Sequence, residues 1–164
     1  MRQWGQCAVD NGQPKLELPL RAVLDTNVMI SGLFGQGTLT ATIYTFWVTR
    51  VCTLITSRAI LREVAHVLHS PDIQRRFQPQ KETITRFFRL VFRKAILTQD
   101  LYATDRLTVD LTDNKFLACA LEGQADYVVS RDPHLLNLKH FHAIQVVDVP
   151  AFVRAVRQTM KNTE

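Results

Sequence analysis

Four acidic residues stand where a globular chain seldom leaves a carboxylate alone. Asp25 closes an apolar run (Ala22, Val23, Leu24) that reads as a buried strand, within the stretch RAVLDTNVMISGLF. Asp132 follows a second such run, ADYVVS, with one residue between. Glu63 lies at the edge of a helical stripe of Ile60, Leu61, Val64, Val67 and Leu68, about 40° from Val67 on the wheel. Asp113 falls in the middle of an apolar helix face, with Phe116, Leu117, Ala120 and Leu121 all within about 80°. Burying an unpaired carboxylate costs on the order of several kcal/mol, so each acid needs a hydrogen-bonding partner, a cation or access to solvent. Gathered together, the four would push one another's pKa values up. One or two hard divalent cations bound through oxygen are the ordinary relief, and Mg²⁺ or Mn²⁺ suits such a donor set. Zinc suits it less, because no Cys or His stands among these positions.

Plainer readings exist for the two helical acids. Glu63 can reach solvent from the edge of its stripe. Asp113 can serve as a first-turn acid, where the helix N-terminus stabilises an anion by about 0.3–1 kcal/mol. That is too little to offset full burial, so a partner is still required. No Ser/His/Asp or Cys/His constellation competes with the acids. His66 and His69 fall on the polar side of one helix, His134 in a loop, and His140 and His142 near a strand.

The elements that must position these acids are legible as an alternation. Short runs rich in Val and Ile, apolar on both parities, occur at Ala22–Leu24, Val51–Ile55, Tyr127–Val129 and Ile144–Val147. Such runs mark strands buried on both faces, hence a parallel sheet beneath helices. Helical patterns lie between them. One covers residues 38–48. A second follows Ser57, a plausible N-cap, and is closed by Pro71. A third is opened by Pro79 and gathers Ile84, Phe87, Phe88, Val91 and Phe92 on one arc. A fourth, DNKFLACALEG, ends at Gly123, and a fifth runs from Pro150 towards Met160. Strands alternating with helices predict an α/β domain with a mostly parallel sheet. In such sheets sites form at the carboxyl ends of the strands, where strand order reverses, and Asp25 and Asp132 both fall at such ends.

At 164 residues the chain reads as one domain with its own core. We expect a flexible extension over residues 1–19, a domain over 20–155, and the end of a C-terminal helix and tail over 156–164. There is no apolar run long enough to span a membrane, and the N-terminus lacks the apolar core of a signal peptide. Cys7, Cys52 and Cys119 are scattered without metal-type spacing, and their odd number argues against a disulfide framework. A cytoplasmic setting is expected. The net charge of +5 and pI near 9.4 favour a polyanionic partner. Arg86, Arg89 and Arg93 share about 60° of one helix face, either as a solvated surface or as a track for phosphates.

The segments AVLDTNVMISGLF, TSRAILREVAHVL and DLTDNKFLACALEGQADYVVSRDPHLL resemble, in order and spacing, the PIN (PilT N-terminal) domain family over residues 20 to 155. The likeness is greatest to its bacterial and archaeal branch of VapC-like ribonucleases, the toxins of toxin–antitoxin pairs. The resemblance implies a three-layer α/β/α sandwich with a mostly parallel central sheet and an acidic pocket for Mg²⁺ or Mn²⁺. It assigns Asp25, Glu63, Asp113 and Asp132 to that pocket as catalytic and metal-binding residues, with Asn27 and Ser130 supporting them. Asp110 matches a further acid often seen there, though it also reads as a helix-entry residue. Arg131 departs from the glycine of many relatives and is a candidate contact to RNA, alongside Arg86, Arg89 and Arg93. The function implied is a metal-dependent endoribonuclease, with an RNA substrate, a small antitoxin partner and a homodimeric state. The alternatives are an RNA-binding or scaffold module on the same fold, or a metal-dependent phosphatase. The phosphatase lacks its usual Asp-x-Asp pair, since Asn27 follows Asp25 two residues on.

Overall fold

A short antiparallel ladder, β1 (Val9–Asp10) with β2 (Gln13–Pro14), precedes the main sheet. The computed structural model describes residues 9–10, 13–14, 19–35, 38–102 and 114–162. Most of the expected N-terminal extension therefore lies outside the described residues, as do Asp110 and Asp113.

The sheet grows from β3 (Leu20–Leu24), whose residues are apolar apart from Arg21 and almost wholly buried. It pairs in parallel with β4 (Cys52–Ser57) on one side and β6 (Tyr127–Val129) on the other. Beyond β4 lies the short edge strand β5 (Ile96–Thr98), and beyond β6 lies β8 (Ile144–Val147), both parallel. An antiparallel edge strand, β7 (His140–Phe141), completes the order β5-β4-β3-β6-β8-β7. Six strands in a mostly parallel sheet, flanked by helices, bear out the expected fold class.

The connections set the layers. From β3 the chain passes through α1 (Thr26–Phe34) and α2 (Leu39–Val48) to β4, moving one way across the sheet. From β4 it passes through α3 (Arg58–Leu68), α4 (Pro71–Phe77) and α5 (Lys81–Lys94) to β5. It then returns through α6 (Asn114–Glu122) to β6, beside β3. Parallel crossovers are right-handed, so reversing direction carries α6 to the opposite face from α2. Accordingly α2 packs on α8 (Val149–Lys161) and β4, whereas α6 packs on β3, β4 and β6. A single turn, α7 (Pro133–Leu136), follows β6. The strand order reverses between β3 and β6, which opens a crevice at their carboxyl ends.

Several sequence expectations need adjustment. The polar Thr26–Asn27 step, which in sequence reads as a turn, is the start of α1, with Asp25 as N-cap. Pro71 ends α3 by opening α4, and α5 begins after Gln80 rather than at Pro79. Phe87 and Val91 are buried on α5, but Phe92 is 61% exposed. It lies about 100° round from Val91, beyond the stripe that the neighbouring helices cover.

Gly123 ends α6, with its amide on the Cys119 carbonyl at 2.8 Å. The left-handed residue is the next one, Gln124 (φ 50). Glycine is required at 123 by close approach: a Cβ there would collide with Ile55 Cγ2 and meet the Cys119 carbonyl at 3.1 Å. Overpacking of this kind typically costs about 1–3 kcal/mol. We therefore expect Gly123→Ala to lower the unfolding free energy by that amount, read in urea as a lower midpoint at unchanged slope.

Candidate active site

Asp25 is 5% exposed at the end of β3. Its amide completes the strand ladder by bonding the Val129 carbonyl at 3.0 Å. Its side chain then turns the chain into α1, because Oδ1 accepts the Val28 amide at 2.7 Å. The other oxygen, Oδ2, accepts the Ser130 hydroxyl and the Arg131 amide (3.2 Å), both from the end of β6. Burial pushes the Asp25 carboxyl above its ordinary 3.8. The Ser130 hydroxyl, the Val28 and Arg131 amides and the Arg131 charge pull it back, without cancelling the effect of burial. A carboxylate with three donors is thus still short of the stabilisation that water gave it.

Two of the other acids, Asp132 and Glu63, are tied to Asp25 or its sequence neighbour by hydrogen bonds. Ser130, wholly buried, also accepts the Asp132 amide on Oγ at 2.9 Å. Asp132 is half-buried and caps α7, with Oδ1 on the His134 amide at 2.8 Å. Glu63 comes from α3, and its Oε1 accepts the Thr26 hydroxyl at 2.6 Å, next to Asp25 in sequence. Its Oε2 pairs with Lys115 on the first turn of α6. Hydrogen bonds thus run from Glu63 through Thr26 to the start of α1, and from Asp25 through Ser130 to Asp132.

Asn27 is exposed on α1 and provides none of the bonds to Asp25, whose supports are Ser130 and two backbone amides. Asp113 would stand one residue before α6, outside the described residues. Arg131 is exposed, with its guanidinium on the Ser31 hydroxyl at 3.2 Å. It borders an open cavity lined by Leu39, Leu136, Asp148, Val149 and Pro150. Arg86, Arg89 and Arg93 are all exposed on α5, whose Phe87 meets Val28, Met29 and Gly32 of α1 around a small internal cavity. His66, His69, His134, His140 and His142 are exposed as well. Cys52 and Cys119 are buried free thiols pushed up to about 12 by burial, so neither is a nucleophile at neutral pH.

Sequence reasoning missed Thr26 and Lys115. Thr26 looked like a turn residue. Lys115 lies about 160° from Asp113 on the wheel, so it reads as solvent-facing. Among the described residues no three Asp, Glu, His or Cys side chains converge closely enough to cage a metal ion. The oxygen-only donors Asp25, Glu63 and Asp132, and the unrelieved burial of Asp25, nonetheless fit a hard divalent cation.

A family model described as PIN domain matches residues 21–134. Among solved structures, PAE2754 from Pyrobaculum aerophilum superposes with a TM-score of 0.56 at 13% identity, over 87% of this chain and 92% of that one. VapBC2 from Rickettsia felis, solved bound to a DNA fragment from their promoter, gives 0.52 at 12% identity, over 79% of this chain and 98% of that one. At such identities the likeness is one of fold. No curated protein matches significantly.

The raised Asp25 pKa gives a signed pH dependence in the metal-free protein. A buried acid whose folded pKa exceeds its unfolded value destabilises the fold while ionised, and the penalty fades as pH falls through the folded pKa towards 3.8. We expect Asp25→Asn to melt at a higher temperature than the parent at neutral pH. The gap should close over that window and vanish below it, as thermal unfolding at graded pH will show.

Proposed function

This chain belongs to the PIN domain family, and from that premise we propose that it is a metal-dependent endoribonuclease, the toxin of a type II toxin–antitoxin pair. The observation that carries the reading is Asp25: a buried carboxylate at the switch point, held by Ser130 and two amides, with Glu63 and Asp132 tied into the same network. Asp25, Asp132 and Glu63, together with Asp113, would hold one or two Mg²⁺ or Mn²⁺ ions. Such ions supply a nucleophilic water at neutral pH and neutralise developing charge on the phosphodiester.

The chain's own residues prepare that chemistry. Ser130 fixes the Asp25 carboxylate and, through its second bond, the backbone at Asp132, so the two acids keep one geometry. Thr26 orients Glu63 as a ligand or as the base that directs water. Asn27, exposed beside the crevice, is free to meet an incoming water or phosphate. Arg131 borders a cavity of about 440 Å³, enough for one nucleotide. Arg86, Arg89 and Arg93 extend the cationic surface along α5, in keeping with the net charge of +5. A small antitoxin partner is proposed from the likeness to VapBC2, and a homodimer from family membership. No helix of the described residues is long and apolar enough to cross a membrane, and a cytoplasmic setting is part of the proposal.

With Mn²⁺ and a single-stranded RNA, Ser130→Ala should lose about 10–100-fold in cleavage rate, as loss of a ligand's supporting bond does. Asp25→Ala should lose more. Undiminished cleavage by Asp25→Ala would dismiss the site. The triple change of Arg86, Arg89 and Arg93 to Gln should weaken RNA binding for all sequences alike. It should also flatten the salt dependence by about 0.7 per phosphate contact removed, measured by anisotropy.

A further inference from the structure

We infer that Lys115 is an internal counter-ion of the acid crevice, seated on Glu63 until a divalent cation takes that carboxylate, and that it thereby sets how tightly the crevice binds metal. The inference rests on the metal-dependent reading above and concerns the regulation of the same site.

Both oxygens of Glu63 are occupied by the protein itself: Oε1 by the Thr26 hydroxyl and Oε2 by the Lys115 ammonium. The pair is half-buried, with the lysine side chain 20% exposed and the glutamate 34%. It is partly screened from water, unlike a fully exposed surface pair, whose worth is small. Its position is informative as well. Lys115 is the second described residue of α6, and its ammonium reaches across to Glu63 on α3. Among the described residues the ammonium is held by the Glu63 carboxylate and lies 5.1 Å from the Phe116 ring. An entering cation must thus displace Lys115 from Oε2 and tolerate its charge nearby.

If the pair served only to fasten α3 to α6, removing Lys115 would lower stability and leave metal affinity alone or weaken it. As a counter-ion it opposes the metal, so its removal must strengthen binding. Calorimetric titration of the metal-free protein with Mn²⁺ separates the two. Lys115→Met and Lys115→Gln should bind Mn²⁺ about tenfold more tightly, the scale on which one neighbouring charge shifts a site. Lys115→Arg should match the parent. In a Glu63→Gln background the Lys115→Met gain should shrink, because the carboxylate being contested is gone. Melting curves give a second readout: Mn²⁺ should raise the midpoint of Lys115→Met more than that of the parent. Parental or weaker Mn²⁺ affinity in both Lys115→Met and Lys115→Gln overturns the inference. Loss of the Mn²⁺ heat in Asp25→Asn would meanwhile uphold the metal reading. If Asp25→Asn binds Mn²⁺ as the parent does, it is the metal reading that fails.

Discussion

The hydrogen bond from Ser130 to Asp25 joins the carboxyl ends of two neighbouring parallel strands. Parallel register sets Leu24 beside Val129, so the residues that follow them leave the sheet level with each other. From that joint the rest of the crevice is built outward. The second Asp25 oxygen starts α1, whose first residue steadies Glu63 on α3. The Ser130 oxygen accepts the amide of Asp132, which caps α7. A buried carboxylate is tolerable here because three donors converge on it, and the same convergence fixes where the other acids stand.

How much of this was legible depended on whether a residue's neighbours in sequence are also its neighbours in space. The central strands were legible because each is buried on both faces and therefore apolar at every position. Asp25 and Asp132 stood out as polar breaks at the ends of such runs. By contrast α1 buries Thr26, Val28, Met29, Ile30 and Gly32 on several sides and so shows no amphipathic period. The edge strand β5 has two of its three residues exposed, and α4 hides behind a proline that terminates one helix by opening the next.

The supports of the site were harder to read than its acids, for a related reason. Ser130 was named through the family resemblance alone, because its two bonds span the strand junction and leave no periodic trace. The resemblance named Asn27, and nothing in the sequence singled out Thr26 beside it. The geometry gives the inward role to Thr26, which is 3% exposed, and leaves Asn27 at the surface. Lys115 defeats the helical wheel altogether, because a four-carbon stem can carry an ammonium well away from the direction in which its Cβ leaves the helix.

Taken together, the crevice is a place where the fold gives up stability for charge. Asp25 remains under-stabilised by its own donors, while Arg131 and Lys115 supply positive charge from opposite sides, one from the β6 loop and one from α6. An apolar residue at position 25 would escape the cost of burying a charge among Val23, Val128 and Val129, but it would remove the α1 cap and strand three donors. That a carboxylate stands there, with cations beside it rather than buried against it, suits the metal site proposed above, which would have to accept and release a cation. Full neutralisation by the protein would leave the metal nothing to gain, and no neutralisation would leave the metal-free fold under strain. The Lys115–Glu63 pair lies between those limits: strong enough to hold the acids in register, and exposed enough to be exchanged.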